Sequence, residues 1–244
     1  MPDIPNRDAI EAEVARLLGK WMKEQQKLIL QLLGDPPSLA NLPPEFWNEI
    51  GAEGVSILRP FMTQQALAAS ERTLAGITIG VDWALVNESA ATWARQYSYE
   101  LVTGINQTSR QTLQRIIPGY FEDAMTQGEL TQAIQREMSQ AVGNVFSPVR
   151  AEMIARTEVT RAAFEGEQIT IGELAKEGVN MIGIWGTRND EIVCVICGPM
   201  HGREADGYTP PRRPYWIHPE MGMRLQPPAH PRCRCGADYR SSKV

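Results

Sequence analysis

Cys194-Val195-Ile196-Cys197 and His230-Pro231-Arg232-Cys233-Arg234-Cys235 contain all four cysteines of the chain, gathered into two short clusters. The loop between them is rich in Gly, Pro and Arg, and eight prolines fall between Pro199 and Pro231. Such a loop is too polar for hydrophobic packing alone to hold it down. A thiolate is a soft ligand, and a C-x-x-C turn can aim two sulfurs at one point, so a second cluster of Cys and His can complete a tetrahedron. The pattern reads as a structural metal clip, with zinc as the expected ion. Its candidate ligands are Cys194, Cys197, Cys233 and Cys235, with His230 able to replace one of the last pair. Thirty-five residues separate Cys197 from Cys233, more than in a compact zinc ribbon. A thioredoxin-like redox pair is disfavoured, because a redox C-x-x-C opens a helix whereas Cys197 is followed by Gly198-Pro199.

Upstream of the first cluster, Val179, Met181, Ile182, Ile184 and Trp185 have the β-branched and aromatic content of a strand, with turn residues at Gly186 and Asn189-Asp190. Before that strand, Ser147-Pro148 supplies an N-cap and a first-turn proline for a helix of about thirty residues reaching toward Gly178. Met153, Ile154, Val159 and Phe164 are its apolar partners. Its charged residues include Glu152 with Arg156 and Glu158 with Arg161, pairs worth a few tenths of a kcal/mol when exposed.

The preceding sequence reads as helix throughout. Val14, Leu17, Leu18, Trp21, Leu28 and Leu32 recur at helical spacing from Ile10 until Gly34-Asp35-Pro36-Pro37. This first helix is either an arm docking elsewhere or a helix folded back on the body. Pro36, Pro37, Pro43 and Pro44 then exclude regular structure across a linker. Residues 45–76 carry the stripe Phe46, Trp47, Ile50, Leu58, Phe61, Met62 and Leu67, interrupted by Gly76-Ile77-Thr78-Ile79-Gly80. Trp93, Tyr97 and Leu101 form a further core stripe, and Thr108-Ser109-Arg110-Gln111 has the form of a capping box opening another helix, which Pro118-Gly119 bends or ends. After Gly128, Leu130, Ala133, Ile134, Met138, Ala141 and Val142 mark a short helix closed by Gly143-Asn144. The expected fold class is α+β: a helical arm at 1–35, a helical domain at 45–145, and a small α+β domain with the cysteine clip at 146–244.

Composition narrows the function. With 43% hydrophobic and 22% charged residues the chain is an ordinary globular one. No stretch approaches the roughly eighteen apolar residues of a membrane span. The charged first thirty residues leave no apolar segment for a signal peptide, so a reducing compartment and metal-bound or free thiols are expected. Residues 201–244 hold eight Arg/Lys against four Asp/Glu within a chain of net charge −5, which makes nucleic-acid contact a candidate role for that end. There is no phosphate-binding glycine loop, H-E-x-x-H or G-x-S-x-G. His201 and His218 share the loop region, but Asp190, Asp206 and Asp238 form no metal-ligand pattern around them. No enzyme is expected.

Ala155-Arg156-Thr157-Glu158 on a long helix, a strand ending in Trp185, Asp190 before Cys194-x-x-Cys197, Gly202, and Pro227-Pro228-x-His230-Pro231-x-Cys233-Arg234-Cys235 occur in one order at compatible spacing. In this the chain resembles the phage Mu F-like family of minor head and head-morphogenesis proteins, over roughly residues 105–237. The resemblance implies a virion protein, present in the capsid interior or at the portal vertex and in the host cytoplasm during assembly. It implies portal, major capsid or scaffold protein as partners, with packaged DNA as a further one. Relatives place a His or another polar residue at Cys194 or Cys197. Arg156, Thr157, Glu158, Trp185 and Asp190 are the structural motif, with a buried ion pair expected to brace the long helix against the clip. The alternative function is a zinc-stapled DNA-binding or nuclease module.

Overall fold

The computed structural model describes residues 4–34, 37–75, 82–127, 132–188, 192–210 and 212–241, with backbone alone for 118–127 and 132–135. Expected features at Asp35-Pro36, Gly76 to Gly80, Gly128, Leu130 and Asn189-Asp190 lie outside the described residues. The helices are α1 (Arg7–Leu32), α2 (Phe46–Leu74), α3 (Trp83–Gln127), α4 (Gln132–Val145) and α5 (Pro148–Lys176). They precede the strands β1 (Met181–Gly186), β2 (Gly207–Thr209), β3 (Arg213–Ile217), β4 (Arg224–Leu225) and β5 (Gly236–Ser241). The fold class is α+β. Two compact units interleave along the chain: a clip unit of Met1–Glu11, Arg59–Arg95 and Met153–Val244, and a helical unit of Ala12–Leu58 and Gln96–Glu152.

In the helical unit, the apolar face of α1 is buried through Val14, Leu18, Trp21, Met22 and Ile29. Trp21 Nε1 donates to Ile50 O at 3.0 Å, and its ring lies over Gly54, where a Cβ would come within 3.0 Å of three ring carbons. The proline-rich linker is not wholly irregular: Ser38 Oγ accepts from Ala40 N and caps one 3-10 turn, Leu39–Asn41.

Two expectations about α3 are corrected. No new helix opens at Thr108-Ser109-Arg110-Gln111, because α3 runs without a break from Trp83 through Pro118-Gly119 to Gln127. The hydroxyls that would have capped point back along the helix instead: Thr108 Oγ1 donates to Gly104 O and Ser109 Oγ to Ile105 O, each at 2.9 Å. Nor do Trp93, Tyr97 and Leu101 form the core stripe; they are half-buried. The buried face of α3 is made of small residues over its first half, Val86, Ala90, Ala94, Ser98 and Val102, and of Ile105, Leu113 and Ile117 beyond. The start of α5 is as expected, with Ser147 Oγ accepting from Arg150 N. The Arg150 guanidinium reaches Ser109 Oγ at 2.8 Å, Val145 O at 2.7 Å and Ile105 O at 3.1 Å, and burial lowers its pKa.

In the clip unit, α5 approaches α2 at Gly166, where Ser70 Oγ donates to Gly166 O at 2.9 Å. The helix stops at Gly178, whose φ of +82° is a left-handed conformation that glycine adopts at little cost. The amide of Val179 returns to Leu174 O at 2.9 Å and closes the cap. β1 pairs antiparallel with β5, from Met181 opposite Ser241 to Gly186 opposite Gly236. β2, β3 and β4 form a second antiparallel sheet. The segment 202–205 joins β1 through Gly202 N to Trp185 O, Trp185 N to Arg203 O and Ala205 N to Gly183 O, each 2.8 Å. Phe164, Trp185, Met200, Trp216, Leu225 and Ala237 enclose the core, and Cys197, Cys233 and Cys235 lie inside it.

Below that core a carboxyl group is sealed in. Glu167 Oε2 is shut off from solvent without a hydrogen-bond partner. Burial pushes its pKa up to about 8, against the pull of Arg72 and a hydrogen bond with Tyr239, and with a further push from Asp238. Its proton is held more tightly in the folded chain than in the unfolded one. Its stabilising contribution is therefore complete below about pH 4.5, declines as pH rises, and is lost above about pH 8. Glu167→Gln is expected to flatten the stability profile across that window and to exceed the unmutated chain at pH 8.5 by roughly 2–4 kcal/mol. Urea unfolding at pH 5, 7 and 8.5 measures it; parallel profiles for the two proteins would contradict the expectation.

Candidate metal centre

The two cysteine clusters converge. Cys194, Cys197 and His230 bring their ligand atoms within 4.8 Å of one another, and so do Cys197, Cys233 and Cys235. Cys197 belongs to both groups. His230 Nε2 lies 3.0 Å from Cys194 Sγ and 3.2 Å from Cys197 Sγ, and Cys197 Sγ lies 3.8 Å from Cys233 Sγ. Cys197, Cys233 and Cys235 are buried and Cys194 is half-buried. All four are free cysteines.

The donor set fits a borderline-soft divalent ion. Two thiolates held about 2.3 Å from one zinc at tetrahedral angles stand roughly 3.8 Å apart, the separation of Cys197 and Cys233. His230 Nδ1 faces Pro231 O at 2.8 Å. A carbonyl accepts only, so the ring proton sits on Nδ1 and the Nε2 lone pair faces the sulfurs. The sulfurs also favour a thiolate. Hydrogen bonds from Cys197 and then Cys235 pull the Cys233 thiol far below its usual range, aided by the amides of Cys235 and Ala229. The same contact with Cys233 drives Cys197 upward. Cys235 is pushed up to about 12: its hydrogen bond with Cys197 favours the thiolate, but the contact with Cys233 and burial outweigh it.

The long helix positions the second cluster through threonines. Thr157 Oγ1 donates to Met153 O and accepts the amide of Arg232 at 2.8 Å. One turn on, Thr160 Oγ1 donates to Cys233 O at 2.9 Å. The first turn of α1 completes the brace: Arg7 donates to Thr160 Oγ1 and, at 3.0 Å, to Arg234 O. Glu11 accepts from Arg7 Nε at 2.8 Å and from Arg156 Nε at 3.2 Å, one carboxylate between two guanidiniums. Glu158 is buried and pairs with Arg161 at 3.3 Å. Within Arg156-Thr157-Glu158 the threonine touches the clip through the Arg232 amide. Trp185 is fully buried, edge-on to Trp216 with centroids 5.3 Å apart. Asp190 lies outside the described residues.

Arg7, Glu11 and Thr160 went unread in the sequence. A signal for the first two exists: Arg7 and Glu11 continue, at helical spacing, the buried stripe that runs on through Val14 and Leu18. Thr160→Val is expected to cost about 2–3 kcal/mol, because it leaves the buried Arg7 guanidinium and the Cys233 carbonyl each short of a partner at nearly constant volume. Urea unfolding tests this, with an unchanged m-value expected; a loss below about 0.5 kcal/mol would show the hydroxyl to be incidental.

His201 and His218, weighed as catalytic groups, serve their own turns. His201 Nδ1 accepts from Thr187 N at 3.2 Å. His218 is buried, and its Nδ1 accepts from the amides of Glu220 and Met221, both at 3.2 Å. Asp206 accepts from Ile217 N at 2.7 Å and pairs with Arg203 at 3.7 Å.

The clip, its bracing helix and the strands β1 to β4, with the first two residues of β5, fall inside one sequence match. The profile described as phage Mu protein F like protein covers residues 116–237. The chain belongs to this phage Mu F-like family. Membership implies a phage head-morphogenesis protein that works among other head proteins, in the virion and in the host cytoplasm during assembly. No curated protein and no solved structure matches the chain. No helix among the described residues is long and apolar enough to cross a membrane.

Proposed function

We propose that the chain is a minor capsid protein of a tailed bacteriophage, which associates with the portal and the procapsid interior during head assembly and catalyses no reaction. The observation that carries this reading is the family match across residues 116–237, which takes in every candidate metal ligand. The clip then holds and does not turn over: a structural zinc bound by the Cys/His cluster would fasten the loop between Cys197 and His230 to α5. The helical half is the surface for portal, major capsid or scaffold protein.

Contact with packaged DNA is supported by the basic C-terminal stretch. Arg212 lies over the Tyr208 ring at 4.3 Å and Arg224 over the Tyr215 ring at 3.7 Å, and guanidiniums stacked on aromatic rings are suited to phosphate contact. The deciding experiment is a pull-down of the purified chain against the portal protein encoded by the same phage, run beside a nuclease assay in Mg²⁺. Retention by portal without cleavage is expected. DNA cleavage lost on changing His201 or His218, with no retention by portal, would replace this reading with the nuclease one.

A further inference from the structure

We infer that the metal ligands are Cys194, Cys197, His230 and Cys233, and that Cys235 is a core thiol outside the ligand set. The inference rests on the metal-clip reading above and settles which four of the five donors would bind. Two matched turns carry it. The amide of Cys197 donates to Cys194 O at 3.1 Å, and the amide of Cys233 donates to His230 O, also at 3.1 Å. Each pair of donors is therefore three residues apart on a turn closed by the same hydrogen bond, so that both side chains of a pair leave the turn on one side. Cys235 belongs to neither turn.

His230 cannot be the residue left out. It is the donor that touches both sulfurs of the first turn, at 3.0 and 3.2 Å, and its Nδ1 is committed to Pro231 O. Cys233 joins the two turns through its 3.8 Å approach to Cys197. Cys235 has another explanation. It immediately precedes β5, in which Gly236 is fixed opposite Gly186 and Ala237 opposite Trp185. Alternate residues of an extended segment face one side, and Cys233, Cys235 and Ala237 are all buried in the core that holds Trp185, Trp216 and Phe164. Cys235 is near Cys233 because strand geometry puts it there, and it packs as a small apolar side chain does. The residue that follows it, Gly236, is fixed by the β1–β5 pairing, whereas the His230–Cys233 turn precedes the strand.

The test uses the full chain, purified under reducing conditions without chelator and titrated with zinc. Cys235→Ala and Cys235→Ser are expected to retain one zinc per chain with a zinc Kd within about threefold of the unmutated protein, whereas Cys233→Ser and His230→Ala weaken it by more than about 100-fold. Because a ligand variant could also unfold, the unmutated chain is loaded with Co²⁺, whose absorption should report three thiolates and one nitrogen. A four-thiolate spectrum overturns the assignment and leaves the clip reading standing, as does zinc retained by His230→Ala but lost by Cys235→Ser. Failure of the unmutated chain to bind zinc or cobalt overturns the clip reading itself, and this assignment with it.

Discussion

Cys197→Ser is expected to abolish zinc binding and to lower the melting temperature of the clip unit by roughly 10 °C or more, given that 1 kcal/mol moves a chain of this size by a few degrees. Cys197 is common to both donor groups and is 2% exposed, so solvent cannot take its place. A serine hydroxyl is a poor zinc ligand, and its polar oxygen would remain in a core lined by Trp185 and Trp216. Structural zinc is worth about 10–16 kcal/mol in small zinc-finger peptides. Here the unit has a core of its own, so the loss is expected to be a fraction of that, several kcal/mol. Chelator added to the unmutated chain should reproduce the shift, with circular dichroism following the melt and elemental analysis the metal. If chelator leaves the melt in place and Cys197→Ser melts like its parent, no metal supports this fold.

Gly166→Ala is expected to destabilise the clip unit by at least about 3 kcal/mol, a sign opposite to the helix-propensity gain of up to about 1 kcal/mol for the same change at an open helical site. A Cβ at position 166 would overlap the Ala66 carbonyl and stand 2.6 Å from Ala66 C and 2.7 Å from its Cα. The obstacle is backbone, which no rotamer change can clear. Separation of α5 from α2 would also break the bond from Ser70 Oγ to Gly166 O. Gly104→Ala is the control, since nothing lies within 4 Å of a Cβ there. Chemical denaturation of the two variants should show opposite signs; equal effects would mean that α2 and α5 have slack at this crossing.

What could be read from the sequence was set by local chemistry. Ser147-Pro148 and Gly178 bound α5 because an N-cap, a first-turn proline and a left-handed glycine act within a few residues of themselves. The strand ending at Trp185 was readable from its β-branched and aromatic content. The continuity of α3 was not. A threonine or serine hydroxyl can cap a new helix or return to the carbonyl four residues back, and the choice is tertiary: Ser109 Oγ also receives the Arg150 guanidinium from α5. Prominent aromatics drew attention to Trp93 and Tyr97, while alanine and valine occupy the face that is buried. Spacing proposed five metal donors and could not rank them, because Cys233 closes a turn with His230 while Cys235 follows it just before β5, a difference of backbone that spacing does not carry. Arg7 and Glu11 went unread because partners of theirs, Arg234 and Arg156, lie far along the chain.

The bond from Arg7 to Arg234 O joins residues 227 positions apart. The segments of the clip unit are likewise scattered, up to Glu11, from Arg59 to Arg95 and from Met153 onward. Contacts of such long range return nothing until a large loop has been closed, so they form late and slowly. Ordering of the clip should therefore follow the helices in time. Newly made chains would pass through a stage with formed helices and reduced, reactive thiols, in which the supply of metal sets how quickly that stage ends.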